Sequence, residues 1–312
     1  MKIDLTVIIP FLNEKENIGR LVDALHKYFS GFRGKRIEVL FVDDGSTDGS
    51  SDTLEGISHS GYTARIVRLS RNFGSHAALR AGIQHAQGAY ITFMYADLQD
   101  PLILIEQMYE KARRGFDIVW AQRRFQRPSS GIFSSMYAAL MRRFAVKDFP
   151  EQGFDIVLFG GKVKRELNEN IESNSSLFLQ IMTMGFRQTS LSYEKSPRVR
   201  GRSKWTFSKK IKLFIDSFVA FSYFPIRLVS IMGVLLSIAG FIWALTIVLR
   251  AILLRDLSQG WPTLIAVLML GFGVTNISLG IIAEYLWRTF DSARGRKTFI
   301  IDRVYDLSGK AK

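Results

Sequence analysis

Short apolar runs alternate with amphipathic stretches through the first third of the chain. Four runs are rich in apolar residues, as expected for strands buried on both faces of a sheet: residues 5–10, 37–42, 64–69 and 90–94. Helical spacing of apolar residues follows the first run, from about Asn13 to Phe29, and the third run, from His76 to Gln87. This alternation predicts an α/β fold with a doubly wound, mostly parallel sheet and right-handed crossovers.

Two much longer apolar segments lie in the second half of the chain. Residues 228–249 and 263–283 contain no charged side chain. At about 1.5 Å per residue, each is long enough as a helix to cross a hydrocarbon core of roughly 30 Å. We therefore predict transmembrane helices at residues 228–249 and 263–284, joined by a short non-cytoplasmic loop at 250–262.

The formal net charge of +14 is concentrated beside these predicted spans. Basic residues crowd the segment before the first span and follow the second, whereas the connecting loop carries little charge. By the positive-inside rule, a domain at residues 1–203 and a tail at 285–312 both lie in the cytoplasm, on the inner membrane. Nucleic-acid binding fits poorly, because the positive charge abuts a predicted span.

Lysines and aromatic residues are interleaved in the segment before the first span. This pattern at residues 204–227 predicts amphipathic juxtamembrane helices that lie along the bilayer. General attraction of the cations to anionic headgroups is one explanation of the cluster. The other is a cradle that binds the phosphate of a lipid.

Carboxylates directly follow the second and fourth predicted strands. Asp43 and Asp44 follow the second, and Asp97 and Asp100 follow the fourth. Ligands of parallel sheets bind beyond the carboxyl ends of the strands, so these side chains lie where a site is expected. Carboxylates suit Mg²⁺ or Mn²⁺, which commonly shares its ligand shell with substrate phosphates, and this favours a nucleotide-diphosphate donor. The alternative for both segments is ordinary turn and helix-capping chemistry.

Several other chemistries are excluded by the sequence. No Gly-x-Gly-x-x-Gly follows the first strand and no Gly-Lys-Ser/Thr loop occurs, so neither a dinucleotide fingerprint nor a P-loop holds the nucleotide. The chain has no cysteine, which excludes disulfides and thiolate zinc sites, and its four histidines are scattered. Asp43 and Asp44 can accept hydrogen bonds from a base or ribose, above a tight turn at Gly45.

Six motifs occur in the order found in family 2 glycosyltransferases. They are VIIP with the following Asn13-Glu14, VDDGSTD at 42–48, SRNFG at 70–74, ADLQDP at 96–101, GRSKW at 201–205 and EYLWR at 284–288. From about residue 5 to 304 the chain resembles polyprenyl-phosphate glycosyltransferases of the bactoprenol glucosyltransferase type, relatives of dolichyl-phosphate mannose synthase. The resemblance implies a GT-A fold, a nucleotide-sugar donor, a divalent cation and a polyprenyl phosphate acceptor on the cytoplasmic leaflet.

The resemblance also implies roles for individual residues on the donor side. Asp44 would read the base, and Asp97 with Gln99 would face the metal and the diphosphate. The residues that would line the rest of the nucleotide pocket are Pro10, Asn13, Glu14 and Asp43.

On the acceptor side, Arg123 and Arg198 resemble the phosphate-binding arginines of the family, and Asp155 resembles its acceptor-site carboxylate. The acceptor phosphate would be cradled by Arg198, Arg202, Ser203 and Lys204. A phosphate monoester with a second pKa near 6 is largely dianionic at pH 7, so a strong general base is not obligatory. This favours a positioning role for Asp155 over proton abstraction.

Two residues depart from the family pattern. Tyr95 stands where the family commonly has an aspartate, and Val157 stands where an arginine is expected. The interpretation that we favour is an inverting membrane transferase that moves a sugar from a UDP-sugar to undecaprenyl phosphate for cell-envelope glycan modification. One alternative is a transferase that acts on another membrane lipid. The second is a degenerate, non-catalytic subunit that binds a nucleotide sugar.

Self-association is a further expectation from the sequence of the predicted spans. Two helices per chain offer few packing partners, and Gly271, Gly273 and Gly280 in the second span allow close helix contact. We therefore expect a homo-oligomer in the bilayer.

Overall fold

The computed structural model describes most of the chain, and the description that follows is confined to residues 3–32, 34–123, 139, 141–143, 146, 156–172, 176–194, 224–253 and 260–307. The chain divides into two compact units. Residues before 218 and residues from 297 onward form the first unit, and residues 218–296 form the second.

An eight-stranded mixed sheet is the centre of the first unit. Its strands are β1 (Ile3–Phe11), β2 (Ile37–Asp43), β3 (Thr63–Leu69), β4 (Gly88–Phe93), β5 (Ile118–Arg123), β6 (Ile156–Gly160), β7 (Gln188–Tyr193) and β8 (Ile301–Asp306). They lie in the order β7-β5-β6-β4-β1-β2-β3-β8. β6 pairs antiparallel with β4 and β5, and β8 pairs antiparallel with β3, whereas the remaining pairs are parallel.

Helices cover both faces of this sheet. They are α1 (Lys15–Phe29), α2 (Ser50–Glu55), α3 (Ser75–His85), α4 (Ile103–Arg113), α5 (Gly161–Glu169) and α6 (Leu177–Thr183). Apolar residues of α1 and α4 form one buried cluster with one face of the sheet, and those of α3, α5 and α6 form another with the opposite face. Val7 and Ile8 are adjacent on β1 and belong to different clusters, as expected for a strand buried on both sides. The predicted doubly wound sheet is confirmed.

The loops that carry the polar motifs lie at one edge of the sheet. The carboxyl ends of the six strands that run in one direction lie there, together with the amino ends of β6 and β8, because those two strands run in the opposite direction. Residues that follow β1, β2, β3 and β4 are thus gathered at one edge, as the sequence predicts.

The eighth strand was not anticipated from the sequence. Residues 285–312 are predicted only as a tail, but residues 301–306 pair with β3, and the Ser70 amide donates to the carbonyl oxygen of Ile300 at 3.0 Å. Phe299 is buried in the cluster beneath α3, and the Tyr305 hydroxyl donates to the Glu55 carboxylate on α2. The chain therefore returns to the first unit after the second apolar segment.

The second unit contains two long helices, α7 (Phe224–Leu253) and α8 (Trp261–Ala293). Within them, Ile226–Trp243 and Val267–Ala293 are long and apolar enough, by length and composition, to cross a membrane. Both helices extend beyond the apolar runs read from the sequence. The predicted domain limits, including the amphipathic segment at 204–227, stay predictions, because residues 195–223 lie outside the described part of the chain.

Candidate active site

The loops that follow β1 and β2 interlock through hydrogen bonds. The Asn13 amide donates to Ser46 Oγ at 2.9 Å, and the Thr47 amide donates to Asn13 Oδ1 at 2.9 Å. The Glu14 amide donates to Ser50 Oγ at 2.9 Å. Asn13 has a φ of 52°, a left-handed conformation that asparagine tolerates better than most residues. Predicted nucleotide-binding residues 13 and 14 are therefore held in place by the second loop.

Asp48 ties the two helices of this region to the same loop. Its Oδ2 accepts the Lys15 amide at 3.1 Å, at the start of α1, and its Oδ1 accepts the Ser50 amide at 2.9 Å, at the start of α2. Burial raises the pKa of the Asp48 carboxyl, but the hydrogen bonds from Ser50 and Lys15 outweigh that effect and lower it below its ordinary value. A carboxylate beside the amino ends of two helices also complements their dipoles.

Asp43 is a supporting residue of the loop in this conformation. Its side chain is fully buried, its Oδ1 accepts the Ser46 amide at 2.7 Å, and its Oδ2 accepts the Ser51 hydroxyl. The Arg68 guanidinium lies 3.8 Å from Oδ2. These contacts match the capping-loop alternative for Asp43, so direct contact with a nucleotide would require the loop to open.

Asp44 joins the loop after β2 to the loop after β3. Its Oδ1 accepts the Phe73 amide at 2.8 Å, and its Oδ2 accepts the Gly74 amide at 3.0 Å. Burial raises the pKa of the Asp44 carboxyl, although these two amides act in the opposite direction, and nearby Asp43 raises it further. The carboxylate predicted to read a base is thus fixed by the SRNFG motif.

The two loops approach each other most closely at Gly45. A Cβ atom on this residue would lie 2.4 Å from the carbonyl carbon of Arg71 and 2.7 Å from the amide nitrogen of Asn72. Gly45 also has a φ of +76°, which favours glycine. Only glycine therefore fits the turn predicted beneath the two aspartates.

Asp97 and Gln99 lie in the loop that follows β4. Both side chains are half-buried, and the Gln99 amide donates to Asp97 Oδ1 at 3.3 Å. Leu98, between them, has a φ of 52°, so this short loop turns sharply. The structure thus places Asp97 and Gln99 together at this edge of the sheet, and their role towards a metal stays a prediction.

Asp100 supports this loop from below. Its side chain is 2% exposed, and its Oδ1 accepts the Tyr193 hydroxyl at 2.6 Å. Tyr193 ends β7 and lies beside Arg123, the last residue of β5. The phosphate-binding arginine predicted from the family motif is therefore at the same edge as the Asp97 loop.

The other predicted acceptor-side residues, namely Asp155, Arg198, Arg202, Ser203 and Lys204, lie outside the described residues. In the sequence, Asp155 directly precedes Ile156, the first residue of β6, which pairs with Ala121 near the end of β5. The roles assigned to all five stay predictions.

The structure accounts for one of the two departures from the family pattern. Val157 is fully buried opposite Trp120, and both belong to the apolar cluster beneath α3. An apolar residue is therefore well accommodated at that position. Tyr95 is half-buried, and its carbonyl oxygen accepts the Leu98 amide at 3.4 Å, so its backbone helps to form the turn at Asp97.

The donor set at this edge suits a hard divalent cation that is partly held by substrate. No group of three or more histidine, cysteine, aspartate or glutamate side chains lies close enough to hold a metal ion among the described residues. The half-buried Asp97 carboxylate and the Gln99 carboxamide offer oxygen ligands, and Mg²⁺ is often bound by one or two carboxylates plus phosphate oxygens. The residues present thus fit a cation brought in with a diphosphate.

Some supporting residues were missed from the sequence. Tyr193 carries no motif of its own, and its partner Asp100 is 93 positions away. Ser46 and Ser50 lie within or beside a recognised motif, but only the folded loop shows which amides they accept. For β8, the β-branched and aromatic run from Phe299 to Tyr305 was an available strand signal.

The doubly wound mixed sheet, with its polar loops and acidic turn at one edge, is a GT-A-like fold. The model of the family described as glycosyl transferase family 2 matches residues 6–191. The chain is 32% identical to the uncharacterised glycosyltransferase YkcC of Bacillus subtilis, over 99% of this chain and 96% of that protein. The chain belongs to glycosyl transferase family 2, and it is a glycosyltransferase.

Two further relatives carry more specific names. The chain is 29% identical to the undecaprenyl-phosphate 4-deoxy-4-formamido-L-arabinose transferase of Edwardsiella ictaluri, over 96% of this chain and 93% of that protein. It is 28% identical to the prophage bactoprenol glucosyl transferase homologue of Escherichia coli, over 97% of this chain and 99% of that protein. The resemblance predicted from the six motifs is confirmed.

Proposed function

We propose that this protein transfers a sugar, with inversion, from a UDP-sugar to undecaprenyl phosphate at the cytoplasmic face of the inner membrane. The observation that carries the proposal is that two relatives named for undecaprenyl phosphate or bactoprenol match over at least 93% of their length. The similarity therefore includes the apolar helices as well as the sheet. The lipid-linked monosaccharide would then serve cell-envelope glycan modification.

The donor nucleotide would bind over the interlocked loops after β1, β2 and β3. Asp44 is held by two backbone amides and would accept a hydrogen bond from the base. Pro10, Asn13 and Glu14 would line the same pocket, with Asp43 fixing the loop from beneath. The preference for uridine over guanosine rests on the family resemblance.

The diphosphate would lie over the turn that follows β4. Asp97 and Gln99 would hold Mg²⁺ or Mn²⁺ there, and the bound cation would supply Lewis-acid stabilisation of the leaving diphosphate. Asp100 and Tyr193 keep this turn against the end of β7. Arg123, beside Tyr193, would add positive charge where the negative charge develops.

The acceptor phosphate would attack from the side opposite the leaving diphosphate. Its oxygen is already ionised near neutral pH, so positioning and charge stabilisation supply most of the catalysis. Arg198, Arg202, Ser203 and Lys204 would cradle that phosphate. Asp155, which precedes β6, would orient the acceptor without having to remove a proton.

The position of β8 in the sheet supports a topology with both termini on one side of the membrane. The chain leaves the first unit before α7 and re-enters it at β8, after α8. If α7 and α8 each span the bilayer, both ends of this helix pair must lie on the same side. The positive-inside rule makes that side the cytoplasm.

A transferase that acts on another membrane lipid is the second candidate, and it has no need of a phosphate cradle. The acceptor panel should contain undecaprenyl phosphate, undecaprenol and diacylglycerol, each presented in mixed micelles with one labelled UDP-sugar. We expect product only from undecaprenyl phosphate, and a fall of at least tenfold in kcat/KM for this lipid in Arg198→Gln and Lys204→Gln. Transfer to undecaprenol or diacylglycerol that both variants leave unchanged would refute the phosphate acceptor.

A further inference from the structure

His76 lies in the first turn of α3, at the same edge of the sheet as the predicted donor pocket. It follows Gly74 by two residues, and the Gly74 amide donates to Asp44 Oδ2 at 3.0 Å. Its ring packs edge-on against Phe178 of α6, with 5.9 Å between the ring centroids. Phe178 packs edge-on against Phe93, the last residue of β4, as well. Through Phe178, His76 therefore connects the loop held by Asp44 with the strand that leads to the acidic turn.

The hydrogen bonding of this ring determines which nitrogen carries the proton. The Leu177 amide donates to His76 Nδ1 at 3.4 Å, so Nδ1 is an acceptor and the neutral ring carries its proton on Nε2. Burial, together with the nearby Arg80 guanidinium, lowers the pKa of the His76 imidazole to about 4. His76 is therefore neutral near pH 7 and presents one N–H donor.

A buried polar network one turn further along α3 holds the ring in this position. Arg80 is 4% exposed, and its guanidinium donates to Gln180 Oε1 at 2.9 Å. The Gln180 carboxamide in turn donates to the Asn170 carbonyl oxygen at 2.7 Å. Because Arg80 is four residues after His76, and Gln180 is three residues after Leu177, α3 and α6 are joined at two successive levels. A side chain between two fixed helices loses little further freedom when it binds a ligand.

The Nε2–H group of His76 is the part of the ring that these contacts do not use. The side chain is half-buried, and within the described part of the chain no group accepts a hydrogen bond from Nε2. A phosphate is bound more strongly by a cation than by a neutral N–H group, whereas a hydroxyl oxygen suits a neutral donor. In the proposed complex the base lies near Asp44 and the diphosphate near Asp97. The group that joins them is the ribose, which offers two neighbouring hydroxyl groups.

We propose that His76 binds the ribose of the donor nucleotide, with its Nε2–H group donating to a ribose hydroxyl oxygen. This inference rests on the proposed function, because that function places the nucleotide over the same loops. It adds to the donor site a residue that lies outside the six motifs. The contact favours ribonucleotides over their deoxyribose analogues.

Nucleotide binding in the absence of acceptor tests this contact, and it stays informative even if no sugar is transferred. Isothermal titration calorimetry of the full chain in detergent compares UDP, its dideoxyribose analogue and UDP-glucose. His76→Phe keeps an aromatic ring against Phe178 but removes the N–H donor. We expect this change to weaken UDP binding by roughly twofold to twelvefold, the range for one neutral hydrogen bond, and to leave the affinity for the dideoxyribose analogue nearly unchanged.

Two further variants separate hydrogen bonding from packing. His76→Gln can place a carboxamide N–H group close to the position of Nε2 and should retain most of the preference for UDP over its analogue. His85→Phe is the matched control, because His85 is a half-buried histidine on the same helix, roughly 14 Å further along its axis. It should leave all three affinities unchanged. Circular dichroism and urea unfolding of each variant verify that the protein is folded.

An unchanged preference for UDP over its dideoxyribose analogue in His76→Phe would overturn the ribose contact. A loss of UDP affinity in His76→Gln as large as that in His76→Phe would overturn the role of the N–H group. A loss seen with UDP-glucose but not with UDP would assign His76 to the transferred sugar and would equally refute the proposal.

Failure of the proposed donor is recognised separately from failure of the ribose contact. Binding of GDP but not of UDP by the wild-type protein would contradict the uridine donor alone. The same comparison of His76→Phe, His76→Gln and His85→Phe would then be made with GDP and its dideoxyribose analogue, and an unchanged preference there would overturn the contact.

Discussion

Gly45 and Arg71 lie so close that a single added carbon would not fit between them. A Cβ atom at Gly45 would be 2.4 Å from the carbonyl carbon of Arg71, which is backbone and has little freedom to move aside. This contact joins the turn beneath Asp44 to the SRNFG loop. The shape of the donor site therefore depends on the absence of a side chain at residue 45.

Gly45→Ala should separate these two loops. We expect it to lower the free energy of unfolding by about 1–3 kcal/mol more than the cost of a left-handed alanine, because the backbone contact must open. UDP binding should weaken at the same time, as measured by isothermal titration calorimetry.

Gly34→Ala is the matched control for that experiment. Gly34 has the same φ of +76°, but a Cβ atom there would meet nothing within 4 Å. The Gly34→Ala change should lower the free energy of unfolding by only about 1–2 kcal/mol and leave UDP affinity unchanged. Equal losses of unfolding free energy and of UDP affinity in the two variants would show that the close contact between residue 45 and Arg71 does not contribute to either.

Asp44→Asn should weaken donor binding. An asparagine side chain keeps one acceptor oxygen but replaces the other with an NH₂ group, which opposes the Phe73 or Gly74 amide and removes the charge. In the proposed complex the Asp44 carboxylate also accepts a hydrogen bond from the base, and loss of such a bond to a charged group is worth about 1.5–3 kcal/mol, so the KM for the UDP-sugar should rise by roughly tenfold to over a hundredfold. An unchanged KM would exclude Asp44 from the donor site.

The raised pKa of Asp44 also predicts how stability depends on pH. Because burial raises this pKa above its ordinary value of 3.8, the folded protein takes up the proton at a higher pH than the unfolded chain does. Ionised Asp44 therefore lowers the free energy of unfolding at neutral pH, and this loss disappears as the pH falls through the folded-state pKa towards 3.8. In urea unfolding, Asp44→Asn should lack this contribution, and a parallel pH profile for wild type and variant would contradict it.

Tyr193→Phe should destabilise the loop that carries Asp97. It leaves the buried Asp100 carboxylate without the Tyr193 hydroxyl, at a cost of about 1–3 kcal/mol. Asp100→Asn keeps an oxygen that can accept that hydroxyl and should cost less. In a double-mutant cycle of Tyr193→Phe with Asp100→Ala, which removes the acceptor, additive losses of unfolding free energy would show that the hydroxyl and the carboxylate are not coupled.

β8 should be needed for donor binding even though it carries no predicted site residue. Deleting residues 297–312 removes the Ile300 carbonyl that holds Ser70 at the start of the SRNFG loop, and it exposes the edge of β3. We expect loss of UDP binding, whereas deletion of residues 308–312 alone should leave it intact.

A milder change keeps the β8 test informative if the longer deletion prevents folding. Tyr305→Phe removes only the hydrogen bond to Glu55 on α2 and should cost about 1.5–3 kcal/mol of stability. Full stability and unchanged UDP affinity in this variant would refute the role of β8.

The sequence predicts those parts of the fold in which local pattern and burial coincide. The apolar runs around Val7, Leu40, Ile66 and Ile91 became neighbouring strands, because a strand buried on both faces has few polar positions. β8 is mostly exposed at the sheet edge and follows an apolar helix, so its apolar pattern is weaker than that of the buried strands and the sequence predicts only a tail there.

At the candidate site too, the sequence predicts only features that have a local pattern. The sequence predicts site positions for Asp44 and Asp97 because Asp44 directly follows a buried strand and Asp97 lies in the short loop after another. Sequence pattern alone left open whether Asp43 meets a ligand or supports its loop, since that depends on which amides the folded loop presents to it. The Tyr193–Asp100 hydrogen bond depends on a strand pairing between distant segments, which carries no local signal.

The most direct test of the proposed function is transfer by the purified protein in detergent with Mg²⁺ or Mn²⁺, undecaprenyl phosphate and a panel of radiolabelled nucleotide sugars. We predict label in the organic phase that requires the divalent cation, comes from a UDP-sugar and disappears in Asp97→Ala. UDP-sugar binding without any lipid-linked product across the panel would contradict the transferase function and support a non-catalytic subunit.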